Sequence, residues 1–228
     1  YNIALGEGAL GSNTTASSNT AVGYQAGYAN TTGAGHVYLG YQSGYSSTTA
    51  SDPNVSIGYQ AFYNNTTGGA NVAIGRDALK ANTTASNNTA VGYQAGYTNT
   101  DATNLTAIGY QSLYSSTTGS GGSTAVGRYA GRSNTGGYVQ AFGESALYSN
   151  TTGNFNTAVG GSALYSNTTA SNNTAVGYQA GYTNTGGTYL TAFGQYALKA
   201  NTTGDQNAAL GAQALLSNTT GSSLVAVG

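Results

Sequence analysis

Asn88-Thr89-Ala90-Val91-Gly92-Tyr93-Gln94-Ala95-Gly96-Tyr97-Thr98-Asn99-Thr100 returns at Asn173 to Thr185, and looser copies of the same phrase fill the rest of the chain. Its fixed point is a Gly preceded by Val, Ile, Leu or Phe, found at positions 6, 23, 40, 58, 75, 92, 109, 127, 143, 160, 177, 194, 211 and 228. These fourteen marker glycines bound thirteen repeats, spaced by seventeen residues ten times, eighteen twice and sixteen once. Self-similarity at a short fixed period is the mark of a solenoid, in which each repeat forms one coil and stacks on its neighbours.

The residue types within the phrase decide between helix and strand. Each repeat has a Gly in mid-run, β-branched residues and an Asn/Thr/Gly cluster suited to turns, all of which oppose a helix. Segments such as Thr20-Ala21-Val22-Gly23-Tyr24 read as short strands, and Asn30-Thr31-Thr32-Gly33 as the corner that follows. Three places after every marker Gly stands Ala or Ser, as at Ala9, Ser43, Ala95, Ser112 and Ala180, which predicts an enclosed position. The marker Gly is equally invariant; positive φ and close backbone approach both explain it. Length varies in the loops Thr49 to Asn54 and Thr118 to Ser123, so these face solvent, and the lone Pro53 lies in the first of them. The expected fold is all-β: a parallel β-solenoid or β-roll of about thirteen 17-residue coils over residues 1–228, one tandem array belonging to a longer fibre. Coils stacked at ~4.8 Å would give a rod of roughly 60 Å.

Composition narrows the function. Only 5% of residues are charged, with five Lys+Arg against six Asp+Glu, while Gly numbers 36 and Tyr 20. There is no basic stripe to neutralise phosphates, so nucleic acid is not an expected partner. No apolar run approaches the ~20 residues of a membrane span, so this segment is not expected to insert in a membrane. Cys is absent, which removes disulfides and thiolate chemistry. The single His36 sits in a slot that other repeats fill with Asn, and the carboxylates Glu7, Asp52, Asp77, Asp101, Glu144 and Asp205 are scattered. No catalytic or metal site and no cofactor is expected. Burying one Val, two Ala and sometimes a Leu per coil returns too little to offset the entropy of ordering that coil. Association with other copies of the chain, first of all as a trimer, is therefore expected.

The core phrase Asn19-Thr20-Ala21-Val22-Gly23, with its variants Asn71-Val72-Ala73-Ile74-Gly75 and Asn54-Val55-Ser56-Ile57-Gly58, resembles the head repeats of trimeric autotransporter adhesins. Repeats of phage tail-fibre proteins are similar. The resemblance spans nearly the whole chain on about five residues per repeat. It implies a left-handed parallel β-roll in a homotrimer, displayed outside the cell on a cell surface or a virion.

Tyr recurs one and five places after the marker Gly, at Tyr24 and Tyr28, Tyr41 and Tyr45, Tyr93 and Tyr97, Tyr110 and Tyr114, and Tyr178 and Tyr182. Arg76, Lys80, Arg128 and Arg132 take the same places elsewhere, so these rows are expected to reach solvent. They could form an aromatic platform for a cell-surface polysaccharide or host receptor, or simply stack and stiffen the rod. The corner asparagines Asn13, Asn30, Asn65, Asn82, Asn150, Asn167, Asn201 and Asn218 match a glycosylation sequon, although turn formation alone explains them. An ice-binding Thr face is a weaker reading, because adjacent Thr residues on a strand point to opposite sides.

Overall fold

Ala flanked by β-branched residues, as in Thr89-Ala90-Val91, favours an extended backbone, and the Gly that follows interrupts it. In the computed structural model, which describes residues 1–48, 52–117 and 121–228, these segments are the strands. The chain forms two compact units, Tyr1–Gly121 and Gly122–Gly228. The first contains β1 (Ile3–Leu5), β2 (Thr20–Val22), β3 (Val37–Leu39), β4 (Val55–Ile57), β5 (Val72–Ile74), β6 (Thr89–Val91) and β7 (Thr106–Ile108). Each pairs in parallel with the next in sequence. The second contains β8 (Thr124–Val126), β9 (Val139–Phe142), β10 (Asn156–Val159), β11 (Thr174–Val176), β12 (Thr191–Phe193), β13 (Ala208–Leu210) and β14 (Val225–Val227), paired in the same way. Register advances by one repeat per strand: Thr89, Ala90 and Val91 lie opposite Thr106, Ala107 and Ile108. Both units are parallel β-solenoids, with about thirteen coils of about seventeen residues between them, and no helix occurs among the described residues. The loop segments 49–51 and 118–120 lie outside the described residues, and Pro53 beside the first is exposed.

Side-chain alternation along each strand corrects one expectation. The small central residue is buried while its neighbours are half-exposed, as in β2, β6 and β11. With a period of two, an inward Ala90 forces Val91 outward. The apolar residue before each marker Gly therefore faces out, and Ile108, Phe142, Phe193 and Leu210 are exposed. The interior is filled instead by the Ala three places after the Gly (Ala26, Ala95, Ala180), by Leu or Phe one place later (Phe62, Leu79, Leu147, Leu198) and by asparagine amides.

Asparagine forms two internal ladders. Asn30 closes its corner by accepting from the Gly33 N–H at 3.0 Å and donating to the Gly33 carbonyl at 2.9 Å. Its equivalents also bond along the stack, Asn82 Nδ2 to Asn65 Oδ1 at 3.0 Å and Asn99 Nδ2 to Asn82 Oδ1 at 3.1 Å. The second ladder precedes the strands, where Asn71 Oδ1 accepts from the Asn88 N–H at 2.9 Å. His36 replaces Asn in this ladder and its Nδ1 accepts from the Asn54 N–H at 2.9 Å, the role an amide oxygen has elsewhere. Buried polar groups satisfied in this way cost little and fix the register of successive coils.

One coil shows how the interior conserves volume. Tyr38 stands at the strand centre that Ala21 and Ala73 occupy in other coils, and it is fully buried. Room for it comes from Gly27 and Gly44, where a Cβ would lie 2.5 and 2.3 Å from the Tyr38 ring. Its hydroxyl donates to Ser47 Oγ at 2.9 Å, and Ser47 stands where most coils have the corner Asn. Burial pushes the Tyr38 phenol pKa upward, partly offset by the Ser47 bond.

The marker glycines form a column with both features that exclude a side chain. Gly92 has φ +134°, and a Cβ there would lie 2.5 Å from the backbone oxygen of Gly109. Its N–H donates to the Ile74 carbonyl at 2.7 Å, so the backbone passes directly against the coils on either side. Gly96, by contrast, has φ +60°, and a Cβ there would meet side chains alone, the end of Leu79 at 2.9 Å and of Leu105 at 3.5 Å. A melting series should rank three substitutions accordingly. Gly92→Ala should lose on the order of 3 kcal/mol or more, Ala95→Leu ~1–3 kcal/mol through overpacking, and Tyr97→Arg no more than ~0.5 kcal/mol. If Gly92→Ala melted with the Tyr97→Arg protein, the close column of glycines would be wrong.

Candidate functional site

Residues one repeat apart stand one above another in a parallel stack, so any repeated aromatic becomes a ladder. In the first unit Tyr24 stacks on Tyr41 at 5.2 Å and Tyr41 on Tyr59 at 5.1 Å, measured between ring centroids. Arg76 continues the row with its guanidinium 5.4 Å from the Tyr59 ring and 5.9 Å from the Tyr93 ring, and Tyr93 stacks on Tyr110 at 5.1 Å. The charged substitution is received by aromatic faces. The second row runs Tyr28, Tyr45, Tyr63 at 5.4 and 5.1 Å, and resumes with Tyr97 on Tyr114 at 5.1 Å. Between those segments Lys80 Nζ lies 2.9 Å from Asp77 Oδ1 and donates to Gln60 Oε1 at 2.8 Å.

In the second unit Tyr148, Tyr165 and Tyr182 stack at 5.0 and 5.1 Å. Arg132 lies over both Tyr129 and Tyr148. Tyr178 departs from the pattern, meeting Tyr196 edge-on at 5.6 Å because Gln195 holds the next place in its row. A rank of glutamines stands beside the tyrosines, Gln42 Nε2 donating to Gln25 Oε1 and Gln60 Nε2 to Gln42 Oε1, both at 2.9 Å.

Tyr24, Tyr41, Tyr110 and Tyr178 are 38–49% exposed, whereas Tyr28, Tyr45, Tyr93, Tyr97, Tyr114 and Tyr182 are half-buried. Within a stack each ring face is covered by the next ring, so solvent meets mainly ring edges and hydroxyls. Such a row resists bending and shear between coils, and it offers few open faces to a flat ligand.

The corner asparagines are placed differently. Asn30, Asn65, Asn82, Asn150, Asn167 and Asn201 are fully buried, and Asn13 and Asn218 half-buried. Their Nδ2 groups donate into the corner, as Asn150 does to Gly153 at 3.0 Å and Asn218 to Gly221 at 3.0 Å. A glycan on Nδ2 would have to displace those bonds. The first Thr of most corners is likewise turned to the backbone, with Thr66 Oγ1 donating to the Thr83 carbonyl at 3.0 Å.

Among the described residues no three His, Cys, Asp or Glu side chains gather as a metal site. Asp77 is buried between Arg76 and Lys80, Glu144 pairs with Arg128, and Asp205 is held below the usual carboxylate range by the Thr188 N–H and hydroxyl. Comparison with protein-family models, with curated proteins and with solved structures finds no match.

The sequence reading overlooked the exposed aromatics Tyr138, Phe155 and Tyr189, which lie outside both rows. The signal was present: they stand five places before a marker Gly, where other coils carry Ser18, Asn87 and Asn172.

Stacking also sets a pH dependence. Burial, followed by repulsion from Tyr148 and Tyr182, raises the Tyr165 pKa. A phenol that holds its proton more tightly in the folded state contributes stability that is whole below the unfolded value of about 10 and is lost as pH rises through the folded one. The melting temperature should be level from about pH 7 to 9 and fall above about pH 10, less steeply in Tyr165→Phe. A melting temperature that rose above that pH would contradict the stacked arrangement.

Proposed function

We propose that this chain is a non-enzymatic structural and adhesive segment of an extracellular fibre, on a cell surface or a virion, that works as a homo-oligomer. The observation that carries the reading is the outward face of the strands. In the first unit Leu5, Val22, Leu39, Ile57, Ile74, Val91 and Ile108 follow one another in register along the sheet, and in the second Val126, Phe142, Val159, Val176, Phe193, Leu210 and Val227 do the same. Ile108, Phe142, Phe193 and Leu210 remain 38–43% exposed. An apolar column in each unit, beside half-exposed Thr and Val on a chain with so few charges, suits burial against a like surface. The occupant of that face is a second and third copy of the chain. A homotrimer of left-handed coils is the form that the resemblance to trimeric adhesin heads implies.

The internal ladders favour a mechanical task. Asn, Gln and Tyr rows link successive coils within each unit, and Arg76 and Lys80 pair with Asp77 while Arg128 pairs with Glu144. A carbohydrate-binding role for the Tyr rows themselves finds less support, because their ring faces are covered by neighbouring rings.

Sedimentation equilibrium tests the assembly. The protein should run at three times the 22.7 kDa chain mass, and Ile57→Asp with Ile74→Asp and Val91→Asp should shift it toward the monomer while the β-rich spectrum is kept. A stable monomer of the unaltered protein at micromolar concentration would overturn the oligomeric reading.

A further inference from the structure

Exposed aromatics on a solvent corner need a reason, since water is their least favourable neighbour and nothing in the fold covers them. Tyr138 and Phe155 are 49% and 66% exposed, and their rings lie parallel, 5.8 Å apart at an interplanar angle of 2°. Phe155 holds φ +57°, a backbone conformation that Gly and Asn adopt readily and Phe does not. Asn172, in the next coil, occupies the equivalent place with φ +61°. A bulky ring has been accepted here against both solvation and backbone preference.

The same two coils break the uniformity of the array. The sixteen-residue spacing between Gly127 and Gly143 is the one short repeat, and it follows an eighteen-residue repeat that carries the glycines Gly119, Gly121 and Gly122. The two four-residue strands, β9 and β10, start immediately after Tyr138 and Phe155. Departures from a regular pattern in repeat proteins concentrate where function is added.

An open groove of about 350 Å³ is lined by Gly122, Tyr138, Gln140, Phe155, Asn156 and Thr157. Gly122 borders the Tyr138 ring closely, and a Cβ there would lie 3.2 Å from it. Gln140 stands where β6 and β11 have Thr89 and Thr174, and its Nε2 donates to the Gly122 carbonyl at 3.3 Å across the groove. No lining residue is charged. Aromatic rings beside a neutral amide and a hydroxyl are complementary to a ring whose C–H faces are apolar and whose rim carries hydroxyls, and the volume is at the small end of ligand sites.

We propose that this groove binds one or two residues of a neutral sugar, packed on the Phe155 ring beside Tyr138 and hydrogen-bonded by Gln140 and Thr157. The proposal rests on the adhesive side of the function proposed above and assigns it to a place the Tyr rows do not occupy.

Only four phenylalanines are present, so selective ¹³C-Phe labelling gives a resolvable Phe155 signal in the full-length protein. Titration with maltose, cellobiose, lactose and mannobiose should shift that signal saturably for at least one disaccharide. Phe155→Ala and Gln140→Ala should each weaken binding about tenfold or more, measured calorimetrically. Tyr93→Ser, in the stacked row, should leave it unchanged. Melting of Phe155→Ala should match the parent, because the ring is exposed. No saturable shift with any of the four sugars, or equal affinity in Phe155→Ala, would overturn the site. Binding of only charged oligosaccharides would overturn it too, since the groove has no charge to meet them. Sedimentation of the same samples keeps the two readings apart: a trimer that binds no sugar sinks the groove alone, and a monomer that binds sugar sinks the assembly alone.

Discussion

Everything in these coils hangs on the contact between successive marker glycines. At Gly92 the backbone comes so near the oxygen of Gly109 that a methyl group would overlap it, and its φ of +134° is one that side chains resist. A backbone that turns this sharply after three extended residues returns one coil later in the same place. That return stacks Ala90 on Ala107, Asn82 on Asn65 and Tyr93 on Tyr110. The ladders follow from the glycine column, because rows of identical groups are stabilising only when the repeat distance is held constant.

The price of a narrow coil is a thin interior, and the chain meets it with polar as well as apolar material. Buried asparagines replace the aliphatic layers of thicker solenoids, each closing its own corner and bonding to the next coil. Where the aliphatic part varies, neighbours adjust: Tyr38 is accommodated by Gly27, Gly44 and Ser47 together, and the space at Gly96 is shared by Leu79 and Leu105. Such adjustments keep packing dense without keeping any single residue fixed. They also leave the outward strand face apolar, since a period-two strand with Ala inside must turn Val, Ile, Leu or Phe outside.

Much of the fold was legible in the sequence. The Gly spacing gave the coil length, the β-branched triplets the strands, and Ala95 and Ala180 the enclosed positions that the structure buries completely. The stacking of the Tyr rows and the substitution of Arg76 within them were also visible as a pattern. Two things were not. The facing of Val91 was misjudged because apolar character suggested burial, although the inward Ala90 beside it already required the reverse. The Tyr138 and Phe155 corner was missed because attention to what repeats hides what does not, and an isolated aromatic carries no periodic signal. At the marker Gly, where the residue type alone allowed either positive φ or close approach, both operate.

Native-state hydrogen exchange, read residue by residue, tests the glycine column most directly. The amides of Gly40, Gly58, Gly75 and Gly92 donate to Val22, Leu39, Ile57 and Ile74 at 2.7–2.8 Å, between coils. If the column holds the stack together, these amides should exchange only through unfolding of the whole unit, all with one opening free energy, while corner amides such as Thr32, whose bond to Thr48 is 3.5 Å, exchange through smaller openings. Marker-glycine amides that exchanged as fast as the corner amides would contradict the account.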